Sequence, residues 1–183
     1  MINILQKDEK LLREIAKPVS KKDFNSAKLK KVLADMSQAM IEQDDAVAIA
    51  APQIGISLRI FIICGRIFDE DWKRGKALPK DYVAKHKDLI FINPEIIKIS
   101  GDKKSVPEAC LSVRYLVGKT KRATKTTIKA FNENGDEFIY NATALMAQIF
   151  QHETEHLNGI LFIDHAKHIK DEEEKWKKEH PTN

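Results

Sequence analysis

His152-Glu153-Thr154-Glu155-His156 is an HExxH run. On a helix, residues four apart lie one turn above one another, so His152 and His156 present two imidazoles from one face. Glu153 follows the first imidazole directly, where its carboxylate can take a proton from a water activated by a bound cation. Two histidines leave a catalytic ion one protein ligand short. Cys110, in Glu108-Ala109-Cys110-Leu111-Ser112, is the most attractive third donor. Three protein ligands keep one coordination position for solvent. Thiolate favours Fe, Zn, Co or Ni over magnesium or calcium, and the sequence does not choose among those four. The chemistry implied is metal-assisted hydrolysis with a Cys/His/His set.

The other histidines and the second cysteine compete poorly for such a role. His165 and His168 have ligand-compatible spacing but sit in a charged tail, where solvent exposure is the plainer account. His86 and His180 lack any ligand context. Cys64 follows Phe61-Ile62-Ile63 and reads as a small buried residue.

The chain of 183 residues is long enough for one substantial core and short for two full domains. Its 31 basic and 27 acidic residues leave a net charge of +4, too small an excess to imply direct nucleic-acid recognition. The N-terminus reaches Lys7-Asp8-Glu9 before any long apolar stretch, so neither a signal peptide nor a membrane span is expected. A cytoplasmic location is the expectation, and two cysteines cannot supply a disulfide framework.

The elements that must position the histidines follow from periodicity. Residues 10–16 predict a short helix ended by Pro18. Leu29, Val32, Leu33, Met36 and Met40 recur at helical spacing and predict a core-facing helix. Leu58 to Ile63 reads as a buried strand, and residues 65–87 as a long surface loop broken by Gly75 and Pro79. Leu89 to Ile92 predicts a strand turned by Asn93-Pro94, with Ile96 to Ile99 as the next. Thr126 to Phe131 and Glu137 to Tyr140 flank Asn132-Glu133-Asn134-Gly135-Asp136, a hairpin signal. Residues 142–157 then form the histidine helix, with Leu145, Ile149, His152 and His156 near one stripe and Asn158-Gly159 as its stop. The expected class is α+β, with antiparallel sheets packed around a central HExxH-bearing helix. Residues 1–164 would form the catalytic domain, and residues 165–183 a charged C-terminal tail, helical in conformation.

Three segments in order carry a resemblance to the peptide deformylase family: Ala46-Val47-Ala48-Ile49-Ala50-Ala51-Pro52-Gln53-Ile54-Gly55, then Glu108-Ala109-Cys110-Leu111-Ser112, then Gln151-His152-Glu153-Thr154-Glu155-His156-Leu157. The family removes the formyl group from the N-terminal methionine of new polypeptides, usually with ferrous iron. The resemblance implies Cys110, His152 and His156 as ligands of one divalent ion, Fe(II) with Zn, Ni or Co as alternatives. It implies Glu153 as the group that takes a proton from water and passes it to the leaving amine. The side-chain amide of Gln53 and the backbone N–H of Leu111 would stabilise the oxyanion. Val47, Leu145 and Ile149 match positions lining the family's methionine pocket, with Ala48 bordering the substrate track. Glu108 and Arg122 match a supporting ion pair. The partners implied are N-formylated nascent peptides and, transiently, the ribosome.

The chain departs from the family pattern at Ala46, Ala48 and Ala109, where glycine is usual, and at Glu155, where aspartate is usual. Glycine permits positive φ or close backbone approach, so an added methyl could narrow the substrate track or shift Cys110 and Leu111. The extra methylene of Glu155 could tilt a ligand. Hydrolysis of another formamide or acylated amine, or metal and peptide binding without turnover, are the competing readings.

Overall fold

The computed structural model describes residues 2–43, 45–72 and 85–179. In chain order these form α1 (Ala27–Ile41), β1 (Ala48–Ala50), β2 (Ile60–Ile63), β3 (Leu89–Ile99), β4 (Lys103–Cys110), β5 (Val113–Ala123), β6 (Lys125–Phe131), β7 (Glu137–Thr143), α2 (Ala144–Leu157), β8 (Lys167–Asp171) and α3 (Glu173–Glu179). Two antiparallel sheets, of order β1-β2-β3-β6-β7 and β4-β5-β8, flank α2 and its HExxH run. The expected α+β class is the one observed.

Strand β2 shows why the core is where it is. All four of its residues are buried, so the continuous run Ile60-Phe61-Ile62-Ile63 serves two faces. Ile60 and Ile62 point into a cluster with Leu29, Val32, Leu33, Met36 and Met40 of α1. Phe61 and Ile63 point the other way, to Phe91, Ile149, Phe150 and Leu157. The rings of Phe61 and Phe91 stack at 4.6 Å, and Phe91 meets Phe150 edge-on at 5.1 Å. Helix α2 is thus anchored to the sheet through its apolar stripe. Ser26 caps α1 by accepting the Leu29 N–H at 3.1 Å. Asn158 and Gly159, the latter at φ +73°, end α2 as expected.

Several expectations change. Asn93-Pro94 does not end a strand: β3 runs through it, with a register shift between Ile92 and Glu95. A bulge tolerates the missing proline N–H, and the Asn93 side chain bonds both the N–H and the carbonyl of Val19. Residues 10–16 shrink to a 3-10 turn, Lys10–Arg13, that buries Leu12. Cys110 lies on a strand that periodicity did not predict, at the end of β4 and the tip of a β4–β5 hairpin. The tail includes a strand: Lys167–Asp171 pairs with β5, and among the described residues of the tail Glu173–Glu179 is helical.

In the segment 65–87, residues 73–84 lie outside the described residues, as does His180. The start of that segment is no surface loop, because Gly65, Arg66 and Asp69 are buried. Arg66 is drawn in by the carbonyls it satisfies, those of Ala46 and Gln43. Among the described residues no helix is long and apolar enough to cross a membrane.

Candidate metal centre

The β4–β5 hairpin turns at Leu111 and Ser112, with Cys110 paired to Val113 across the turn. This tight reversal aims the Cys110 sulfur at α2. Its Sγ lies 3.2 Å from His156 Nε2 and accepts the Ser112 N–H at 3.4 Å. One turn up the helix, the His152 ring centre is 4.9 Å from that of His156. One donor atom each from Cys110, His152 and His156 lies within 4.8 Å of the other two. Ligands of a tetrahedral ion at ~2.1–2.3 Å are separated by roughly 3.5 Å, so small adjustments let the three residues hold one ion.

The two imidazoles are pushed in opposite directions. Burial disfavours charge on His152, yet hydrogen bonds to Cys110 and Glu108 outweigh it and push its pKa up. Burial pushes His156 down.

His152 Nδ1 meets Glu108 Oε1 at 2.6 Å. Burial would raise Glu108, but Arg122 and His152 hold its carboxyl far below the usual carboxylate range. An ionised acceptor there keeps the proton on Nδ1 and leaves Nε2 free to ligate. Glu108 is itself held by Arg122 Nε at 2.9 Å and by the Thr120 hydroxyl. Arg122 also donates to Glu155, at 2.7 Å through Nη2. The sequence pair Glu108–Arg122 is therefore a buried salt bridge extended by a second carboxylate.

Glu153 is 4% exposed, and its Oε2 has no hydrogen-bond partner. Burial pushes its carboxyl up to about 7. Gln53 is fixed at the other side: its Oε1 accepts the Ala50 N–H at 2.8 Å. That bond turns Nε2 toward Ser112 Oγ at 3.1 Å and Cys110 Sγ at 3.5 Å. A cavity of about 950 Å³, open mouth included, joins these groups. Val47, Ala48, Leu145, Ile149 and Leu111 line it together with Gln53, Glu108, Cys110, His152 and Glu153. Arg122 and His156 lie outside that lining, behind the Glu108 carboxylate and the Cys110 sulfur respectively.

The family model for polypeptide deformylase matches residues 1–172. The chain belongs to this family. It is 37% identical to the peptide deformylase of Carboxydothermus hydrogenoformans over 166 residues, 91% of this chain and 93% of that one. The peptide deformylase of Syntrophomonas wolfei is 39% identical over 156 residues, 85% and 87% of the two chains. Among solved structures, the Met-Ala-Ser-bound class I type b peptide deformylase of Acinetobacter baumannii superposes with a TM-score of 0.75 at 32% identity, covering 90% and 98%. A Legionella pneumophila peptide deformylase gives 0.74 at 34% identity, covering 90% and 85%. Homology of sequence and fold, with the Cys110/His152/His156 cluster, supports a metal-dependent amidohydrolase.

At the three alanine departures from the deformylase pattern the backbone is not left-handed. Ala46, Ala48 and Ala109 all have negative φ, so none pays for a left-handed backbone. The Ala109 residue is exposed. Glu155 spends its extra methylene in reaching Arg122 and, at 3.1 Å, His165 Nε2.

Sequence reasoning missed Ser112, Thr120 and Gln148, which hold Gln53 and Glu108 in place. Polar residues on separate strands give no periodic signal of such a role. It also missed Glu172, Lys175 and Trp176, which reach the mouth of the cavity from the tail.

Proposed function

We propose that this chain hydrolyses the N-formyl group from N-terminal formyl-methionine of peptides, releasing formate. The observation that carries the reading is a buried, unpartnered Glu153 carboxylate beside the Cys110/His152/His156 cluster at the floor of an apolar-walled cavity. Cys110 Sγ, His152 Nε2 and His156 Nε2 would hold one divalent ion. Ferrous iron is our choice, with zinc, nickel or cobalt acceptable to the same donors. Such an ion supplies Lewis acidity, lowering the pKa of water and polarising a carbonyl.

The remaining work falls to the chain. Val47, Leu145 and Ile149 bind the methionine side chain in an apolar pocket, and Ala48 borders the path of the peptide backbone. Gln53 Nε2 and the Leu111 N–H donate to the formyl oxygen as charge develops there. Glu153 takes a proton from water as the water oxygen bonds to the formyl carbon. It then gives that proton to the amine nitrogen as the C–N bond breaks. Formate and a free N-terminus result, with atoms and charge balanced. Glu108 and Arg122 act through His152, fixing its tautomer and direction. The Acinetobacter relative's bound Met-Ala-Ser has the form of such a product and supports a peptide ligand. Substrates of this type arise on nascent chains, so a cytoplasmic location and transient ribosome contact belong to the same reading.

The test is anaerobic purification, loading with iron or nickel, and measurement of formate release from formyl-Met-Ala-Ser. Turnover by the parent and its loss in Glu153→Ala, with the ion retained, are expected. No release at full ion occupancy would reject the activity, and equal turnover by both forms would reject the role of Glu153.

A further inference from the structure

The tail is built into the site rather than appended to it. Strand β8 pairs with β5, Leu116 opposite Asp171 and Val117 opposite Lys170. Gly118 makes this approach feasible: a Cβ there would sit 2.9 Å from the Ala166 Cβ, inside contact distance. After β8, the Glu172 N–H bonds the Tyr115 carbonyl at 2.8 Å, and α3 begins. Trp176 then lies over the start of β5. Its ring is 5.5 Å from that of Tyr115, and the Arg114 guanidinium stands 5.7 Å above it. Arg114 is held in turn by Asp45 at 2.9 Å, and both line the cavity. Glu172, Lys175 and Trp176 line the same cavity as Cys110 and Glu153.

We propose that α3 is a wall of the peptide cleft and that Trp176 is a specificity-determining residue for the second and third residues of the substrate, favouring apolar side chains there. The inference rests on the deformylase reading and adds a substrate preference to it. Distance along the hairpin sets the assignment. Val113 pairs with Cys110, and Tyr115 is two residues further, ~7 Å at the ~3.3 Å rise of a strand. An extended peptide whose formyl carbon lies at the cluster reaches that level with its second and third residues. Local charges are already paired, Arg114 with Asp45 and Lys175 with Glu172, so what the wall offers to a side chain is the part of the Trp176 and Tyr115 rings that faces the cavity beyond Arg114 and their mutual contact.

The test compares formyl-Met-Leu-Phe with formyl-Met-Ala-Ser on the full-length, iron-loaded chain. The parent should show a KM about fivefold lower for the Leu-Phe peptide, the order of burying part of an apolar side chain. Trp176→Ala should erase that advantage through KM, and Trp176→Phe should retain most of it. An equal change on both substrates, or an advantage that survives in Trp176→Ala, would overturn the proposal. Binding is read separately from turnover. In a Trp72→Phe chain, Trp176 fluorescence should respond saturably to unformylated Met-Leu-Phe amide and more weakly to Met-Ala-Ser amide. That pattern without formate release would leave the wall standing and defeat the deformylase reading; no response to either peptide would defeat the wall.

Discussion

Glu155 Oε2 lies 2.7 Å from Arg122 Nη2, on the same guanidinium whose Nε lies 2.9 Å from Glu108 Oε2. One of the residues that depart from the family pattern is thus three contacts from His152: Glu155 holds Arg122, Arg122 holds Glu108, and Glu108 orients the imidazole. Burial acts against charge on Arg122, but both carboxylates keep it firmly protonated.

This relay predicts graded effects. Glu108→Ala removes the direct partner of His152 and leaves the buried Arg122 with Glu155 as its carboxylate, so the cost should fall at or below the lower end of roughly 3–5 kcal/mol of stability. Ion affinity should fall about 10–100-fold. Glu155→Ala leaves the Glu108–Arg122 bridge intact, so its loss of affinity should be no more than about tenfold. Chelator competition and thermal melts measure both. Equal losses in the two variants would contradict the relay.

At Ala109 the backbone is exposed and its φ ordinary. Ala109→Gly should therefore lower stability by about 0.4–1 kcal/mol, through added freedom of the unfolded chain. Urea midpoints check this. A gain in stability would mean that the methyl is strained.

Cys64 is buried, and burial raises its thiol pKa. Its place in the core cluster with α1, outside the Cys110/His152/His156 group, predicts that Cys64→Ala keeps one ion per chain at a cost of about 1 kcal/mol in packing. Cys110→Ala should lose the ion. Metal analysis after gel filtration distinguishes the two, and ion loss from Cys64→Ala would show a second thiolate in the site.

Much of this fold was legible wherever one side of an element is apolar. The α1 stripe, the two-faced run of β2 and the Asn132–Asp136 hairpin all announce themselves by period or turn chemistry. The HExxH spacing likewise brings His152 and His156 to one face. Strands β4 and β8 hid because most of their residues are exposed and many are Lys, and β5 hid because its mixed run VRYLVGKTKRA buries residues without a simple alternation. Their pairing is dictated by partners, not by local pattern. Trp176, the aromatic of a charged tail, is a docking candidate from sequence, but its partners Arg114 and Tyr115 give no local signal because they lie about sixty positions away and meet it through β8.

The central claim is that one thiolate and two imidazoles grip a single ion, and cobalt substitution tests it most directly. The chain loaded with Co(II) should bind one equivalent and show a thiolate-to-cobalt charge-transfer band, absent in Cys110→Ala and weakened in His156→Ala. A cobalt-loaded parent without that band, or a Cys110→Ala variant that keeps it, would contradict the account.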